Sequence, residues 1–289
     1  MIIIDMNQIS LASLMMHLNM TKAKEPDESM VRHMILNSVR MYRTMFGEEY
    51  GEVILTYDSK HYWRRDFFPQ YKSNRKKNRD ADSKDWNAIF EILNKIKAEI
   101  KDNLPYKFLE VYGAEADDII ATLCKFSQTE KDRSKNEKII IVSGDKDFIQ
   151  LQKFNHVKQF SPIQKKMVVD KTPRKYLFEH ICRGDKGDGI PNILSSDSCL
   201  VEGIKQSPLR QTLIDTWIED PSIMPDEIKR NFQRNTTLID LTKIPEDIYN
   251  TIVNEFNGQK VPMKMKVLNY LIKKRCNNLI ESVEEFYNG

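Results

Sequence analysis

The chain reads as an α/β protein, a parallel sheet with helices on both faces followed by an all-helical C-terminal region, and three observations predict this. Aliphatic and β-branched runs at Ile2–Ile4, Val53–Tyr57, Tyr106–Val111 and Ile139–Val142 are bounded by Gly, Ser and Asp, as fully buried strands are. Segments of helical periodicity lie between them, and crossovers of that length make a sheet parallel. From about Thr172 the strand-like runs stop and helical candidates take over.

The elements follow in order. After the first strand, Gln8–Leu18 has room for a helix. Ser29–Phe46 is a stronger one, because Val31, Ile35, Val39, Tyr42 and Phe46 recur at helical spacing, with Ser29 as cap and Gly47 as stop. Strand two ends at Asp58. Residues 60–85 show neither period and are dominated by charge, so a long mobile basic arch is expected there. Trp86, Phe90, Leu93, Ile96, Ile100 and Leu104 mark an amphipathic helix closed by Pro105. Strand three is Tyr106–Val111, a helix begins near Glu115, and strand four is Ile139–Val142. The second half holds Pro173–Cys182, Pro208–Glu219, Asp226–Leu241, Glu246–Phe256 and Met263–Phe286, with prolines 208, 225, 245 and 262 where helices start. Two domains are expected, 1–171 and 172–289.

With 289 residues and 40% hydrophobic content, the chain can bury a proper core. The net charge of +3 hides an uneven distribution: residues 60–79 carry eight basic side chains against the single acid Asp66, a local +7. Residues 259–275 add six more and no acid. Such segments beside an acidic centre suit a polyanion held by its phosphates, although either run alone also fits a solvated surface. Cys124, Cys182, Cys199 and Cys276 are scattered without a C-x-x-C pair, which points to idle buried thiols in a reducing compartment. The opening lacks signal-peptide features, and the longest uncharged stretch, Met6–Thr21, is too short and polar to span a bilayer. Neither a P-loop nor a Gly-x-Gly-x-x-Gly is present, which sets nucleotide-dependent enzymes aside.

The apolar runs end in carboxylates. Asp5 and Asp58 close strands one and two, Asp145 and Asp147 follow strand four, Glu115 and Asp117 open a helix, and Asp185 and Asp188 lie in a Gly-rich turn. Ligands of open α/β sheets bind at the strands' carboxyl ends, so these acids should converge. Converged carboxylates repel unless neutralised, and an all-oxygen cluster suits Mg²⁺ or Mn²⁺. Singly, each acid also fits a cap or turn. Asp118 stays outside the ligand set, because a helix's first turn welcomes an acid for its own sake.

Taken together and in order, Tyr71-Lys72-x-x-Arg75, Glu115-Ala116-Asp117-Asp118, Ser143-Gly144-Asp145-Lys146-Asp147-Phe148 and Gly184-Asp185-x-x-Asp188 resemble the 5′-nuclease (flap endonuclease) superfamily. Tyr62–Phe67 and Met30–Ser38 resemble its T-even-type bacteriophage members, and the likeness covers nearly the whole chain. The resemblance implies a PIN-like 5′-nuclease domain and a helical region with a helix-turn-helix-like duplex-binding element. It implies an Mg²⁺-dependent 5′→3′ exonuclease and flap endonuclease with ribonuclease H activity. Such an enzyme removes RNA primers from lagging-strand fragments during phage DNA replication and leaves 5′-phosphate and 3′-hydroxyl products.

By motif, Asp5, Asp58, Asp117 and Asp145 would hold a first Mg²⁺, and Asp147, Asp185 and Asp188 would shape a second, largely through waters. Glu115 would bridge the two, and Mn²⁺ could substitute. Lys72 and Arg75 would steady the scissile phosphate at the arch base. Tyr71 either stacks on the terminal base or packs under the arch. Arg64, Arg65, Lys76, Lys77 and Arg79 would meet phosphates. Gly189 and the stretch Asn192–Lys205 depart from the family's Gly-rich turn, which shifts expected duplex contact to Lys205, Arg210 and the basic tail.

The implied partners are DNA and RNA–DNA hybrid with a 5′ end or flap, together with a phage single-stranded-DNA-binding protein; no segment ahead of Asp5 offers a sliding clamp a dock. A monomer without membrane contact, in the cytoplasm of the bacterial host, completes the expectation. Among competing readings, a catalytically silent DNA-binding protein of this fold sits poorly with retention of every acid plus Lys72 and Arg75. A PIN-type ribonuclease lacks the helical half. A haloacid-dehalogenase-like phosphatase needs Asp-x-Asp where this chain has Asp5-Met6-Asn7.

Overall fold

Short apolar runs build the sheet. In the computed structural model, which describes residues 1–23, 25–129 and 137–287, they form β1 (Ile2–Asp5), β2 (Val53–Thr56), β3 (Lys107–Leu109) and β4 (Ile139–Val142). Two further strands, β5 (Val157–Ser161) and β6 (Lys166–Val168), complete the order β3-β2-β1-β4-β5-β6. All neighbours pair in parallel except β5 and β6, so the expected parallel sheet carries an antiparallel edge. β1 pairs with β2 on one side and β4 on the other, so the winding reverses there and opens a crevice at the strands' carboxyl ends.

Side chains of a strand alternate between faces, and both faces of this sheet are dry. Ile2, Ile4, Leu55 and Val142 pack with Val31, Ile35 and Val39 of α2 (Glu28–Tyr50) and Ile89, Ile96 and Ile100 of α5 (Trp86–Asn103). Ile3, Ile54 and Ile141 pack on the opposite face against Ile119, Ile120 and Leu123 of α6 (Ala116–Thr129). Late helices reach the same cores: Ile252 and Phe256 of α10 (Glu246–Gly258) join the second face, and Val267 and Leu271 of α11 (Met265–Lys273) the first. Full burial of each such side chain contributes about 1.5–3 kcal/mol, so the C-terminal helices help hold the sheet.

Several boundaries move for identifiable reasons. α1 spans Met6–Thr21, capped by Asp5 itself. α2 is capped by Asp27, which accepts from the Ser29 and Met30 amides, rather than by Ser29; it passes through Gly47 and ends at Gly51, whose positive φ of 78° glycine tolerates. The segment 60–85, read as irregular, contains α3 (Trp63–Phe67) and α4 (Asn74–Asp80). Its near end is anchored, since Phe68 and Tyr71 are buried against Ile181 of α7 (Pro173–Arg183) and Leu238 of α9 (Asp226–Ile239). Between α7 and α8 (Gln211–Glu219) the chain forms turns and irregular backbone, including the stretch 192–205 that departs from the family's Gly-rich turn, and α8 starts three residues after Pro208. The expected Met263–Phe286 helix breaks at Arg275, in the left-handed region at φ 55°, and resumes as α12 (Asn277–Ile280). All four cysteines are free and buried. Among the described residues, no helix is long and apolar enough to cross a membrane.

Candidate metal centre

Three helix starts aim at the crevice, and an anion near a helix N-terminus is stabilised by the aligned peptide dipoles. Asp5 ends β1 and caps α1, accepting from the Gln8 amide at 3.1 Å. Asp58 follows β2 and accepts from the Ala116 amide at 2.8 Å, capping α6 from another strand. Asp145 follows β4 and caps the 3₁₀ helix Lys146–Lys153 by accepting from the Asp147 amide at 2.9 Å. Ser143 donates to Asp5 at 3.0 Å, and Gln8 accepts from the Gly144 amide at 2.6 Å, which ties the ends of β1 and β4 together.

The convergence is electrostatically expensive. Burial first, with Asp58 and Asp145 adding repulsion, pushes Asp5 up to about 6. Burial also raises Asp58, with Glu115 adding to it while Lys72 opposes. Asp117 is held well above the usual carboxylate range by burial and by the Asp145, Glu115 and Asp58 charges. Asp147 is raised likewise, by burial and by Asp145, Asp185 and Asp188. Burial is the largest cause of each shift, and repulsion from neighbouring carboxylates adds to it.

Those cations are unevenly shared. Glu115, buried, meets Lys72 through one oxygen and Arg64 (3.0 Å) and the Tyr71 hydroxyl (2.9 Å) through the other. Asp188 takes Arg75 at 2.5 Å, the Tyr71 hydroxyl at 3.1 Å and Lys72 at 3.5 Å. Although burial opposes it, Lys72 and Arg75 hold Asp188 below its ordinary pKa. Among the described residues, Asp5, Asp58, Asp117 and Asp145 have no Lys or Arg partner at ion-pair distance. A cavity of about 10 Å³, with room for one water-sized occupant, is lined by Asp117, Asp147, Asp185 and Asp188 together with Arg64, Tyr71 and apolar side chains that include Ile190 and Leu238. Hard oxygen donors, uncompensated charge and that space fit divalent cations.

The expected residues sort into those in the centre, those beside it and those elsewhere. All eight proposed metal carboxylates converge. Lys72 is buried at the edge, and its backbone amide, at a residue with φ of 55°, donates a hydrogen bond to the Asp188 carbonyl at 2.7 Å. Arg75 is about half exposed. Arg64 is a correction. Instead of facing solvent and phosphates it is 2% exposed, donating to the Leu238 carbonyl at 2.8 Å and to Asp118 Oδ2 at 2.9 Å, with Asp118 Oδ1 at ion-pair distance, 2.8 Å, because two buried acids need its charge. Asp118 is thereby explained by that pair rather than by the helix dipole alone. Of the two readings of Tyr71, packing is the one seen: its ring lies edge-on to Tyr62 and it is 3% exposed. Arg65 is exposed over the Tyr62 ring, and Lys76 and Lys77 are exposed on α4. Arg79 lies over Phe90 at 5.5 Å. Lys205 and Arg210 are exposed in the irregular connection and at the start of α8.

Two features escaped sequence reasoning. His180, on α7 one turn before Gly184, lies beside Asp147 and Asp185; its place just ahead of the Gly-Asp turn was the available signal. A cavity of about 460 Å³ runs from Asp58 past Arg75 and Arg79 to Tyr57, Trp86 and Phe90, combining cations with aromatic faces.

Gly184 builds the acidic turn. At φ 66° an added Cβ would press on the carbonyl oxygens of Ile190 and Pro191, which are backbone atoms fixed by the Ile190 amide's bond to the Asp185 carbonyl at 2.7 Å. Gly184→Ala is expected to cost about 2 kcal/mol or more and to displace Asp185 and Asp188. Chemical denaturation and cleavage assays on the same variant check this; unchanged values in both would refute the strained-turn account.

The model of the 5′-3′ exonuclease N-terminal resolvase-like domain matches residues 1–178, and that of the T4 RNase H C-terminal domain matches 173–286. Ribonuclease H of Enterobacteria phage T4 is 33% identical over 98% of this chain and 95% of that protein. A 5′-3′ exonuclease of Buchnera aphidicola subsp. Acyrthosiphon pisum is 28% identical over 82% and 80% of the two chains. Among solved structures, bacteriophage T5 flap endonuclease, as a pseudo-enzyme-product complex with DNA and metal ions, superposes with a TM-score of 0.59 at 16% identity over 98% of each chain. T5 5′-exonuclease with bound zinc gives 0.58 at 15% identity, covering 89% of this chain and 98% of that one. These structural likenesses establish the fold.

Proposed function

We propose a two-metal 5′-nuclease mechanism from the premise that this chain belongs to the 5′-3′ exonuclease family, with a C-terminal domain of the T4 RNase H type. It is a metal-dependent nuclease acting on nucleic acid. The observation that carries the site assignment is the division of the carboxylates: Glu115 and Asp188 are matched to arch cations, while Asp5, Asp58, Asp117 and Asp145 are not. In our reading the unmatched acids hold one Mg²⁺, and Asp147, Asp185 and Asp188 serve a second. When bound, such ions supply the charge that activates a water and stabilises the leaving 3′ oxygen.

The chain's own groups do the rest. Lys72 and Arg75, poised on Glu115 and Asp188, can exchange a carboxylate for the scissile phosphate and steady charge on its oxygens, an effect that is large where water is excluded. The 460 Å³ cavity, with Arg79, Trp86 and Phe90 beside Asp58, suits the strand bearing the 5′ end, since aromatic faces stack on any base. Lys76 and Lys77 would hold backbone phosphates, and Lys205 and Arg210 the duplex. Primer removal in the host cytoplasm, binding of a single-stranded-DNA-binding protein, action as a monomer and the division into 1–171 and 172–289 complete the proposal. A 5′-labelled flap and an RNA–DNA hybrid, incubated with Mg²⁺ or EDTA, test it. Short 5′ products that need Mg²⁺ are expected; cleavage in EDTA, or none in either, would sink it.

A further inference from the structure

We propose that His180 is a nitrogen ligand at the second metal position, completing a mixed set with Asp147 and Asp185 that moves its preference from Mg²⁺ toward first-row transition ions. The inference rests on the metal-centre reading above and adds a donor that the motif resemblance does not supply.

The geometry carries it. α7 packs along the 3₁₀ helix that bears Asp147 and runs into the Gly184–Asp185 turn, so one helix end delivers His180 between two acids. Its Nε2 lies 3.6 Å from Asp147 Oδ1 and 3.9 Å from Asp185 Oδ2, and one donor atom from each residue lies within 4.8 Å of the others. Those separations are too long for hydrogen bonds. They approach what two donors on one ion require, since bonds of about 2.1–2.2 Å set donors about 3.0–3.6 Å apart. Nε2 is buried without a hydrogen-bond partner. A histidine that merely packs, as this one does on the Tyr176 ring at 6.0 Å, normally satisfies a buried ring nitrogen. Imidazole suits transition ions better than it suits Mg²⁺.

The test uses the full chain loaded with Mn²⁺, bound metal being counted before three-pulse electron-spin-echo spectra are recorded. Wild-type protein should show ¹⁴N modulation from coordinated imidazole that changes on ¹⁵N-histidine labelling. In His180→Gln the modulation should vanish, with the weaker Mn²⁺ site losing roughly tenfold in affinity and the tighter one unchanged. Two bound Mn²⁺ ions without histidine modulation, or modulation that survives in His180→Gln, would overturn the assignment and leave the carboxylate centre standing. Failure of the wild type to bind Mn²⁺ at all would instead remove the metal-centre reading, and His180 with it.

Discussion

Asp117→Asn is expected to fold, to bind a 5′-flap substrate and to cleave it roughly 10³-fold more slowly than the wild type, or worse. Asp117 lines the small cavity among the acids and, among the described residues, has no Lys or Arg at ion-pair distance, so its charge is available to a cation rather than to the fold. Asparagine keeps the shape and removes the charge. Stability should move the opposite way from activity. An acid whose folded pKa is raised weakens the folded state as pH climbs from the ordinary carboxylate range through the raised value. In EDTA at neutral pH the variant should therefore melt above the wild type, and below the ordinary carboxylate range the two should converge. Added Mg²⁺ should raise the wild-type melting temperature more than the variant's, because only the intact cluster gains from binding. Single-turnover cleavage and melting curves at two pH values decide the matter. Cleavage within tenfold of wild type would remove Asp117 from the centre.

Strands one to four were legible because each is a short run of mostly buried apolar residues, and β4 matches its expected limits of Ile139–Val142. β5 escaped because it buries a polar residue. Gln159, fully buried, donates to the carbonyls of Ser143 and Asp145, so it positions the acidic loop while breaking the apolar pattern. α3 and α4 escaped because local charge outweighs periodicity in segments of five and seven residues. Tertiary contact decides them: Phe68 and Tyr71 are drawn into a small core with Ile190 and Leu238, residues more than a hundred positions away.

For the site, sequence located the acids but not their charge balance. Asp5, Asp58, Glu115 and Asp145 follow or face strand ends, which a linear pattern can reveal. That Glu115 is filled by Lys72, Tyr71 and Arg64, while Asp117 two residues later is not, depends on how the arch folds back over α6. Nothing in the spacing of charges distinguishes Arg64 from Arg65, adjacent in one basic run. One points into the protein and the other over Tyr62.

That difference has a large measurable consequence. Arg64→Ala should destabilise the protein by about 3–5 kcal/mol, since it leaves Asp118 buried without its ion-pair partner and strips Glu115 of one of two cations. The melting temperature should fall by roughly 10 °C or more. Arg65→Ala, at an exposed cation–π contact, should cost under about 1 kcal/mol. The reading of Arg64 as a phosphate contact makes a different forecast: stability nearly unchanged, and a log Kd against log salt slope smaller by about one. An intermediate result is resolved by the pair Arg64→Met with Asp118→Leu. Removing both members of a buried ion pair leaves no unpaired charge, so the double variant should regain much of what Arg64→Met alone loses. If losses from the two substitutions simply add, Arg64 and Asp118 are not coupled, and the support of the Glu115 corner has to lie in Lys72 and Tyr71 instead.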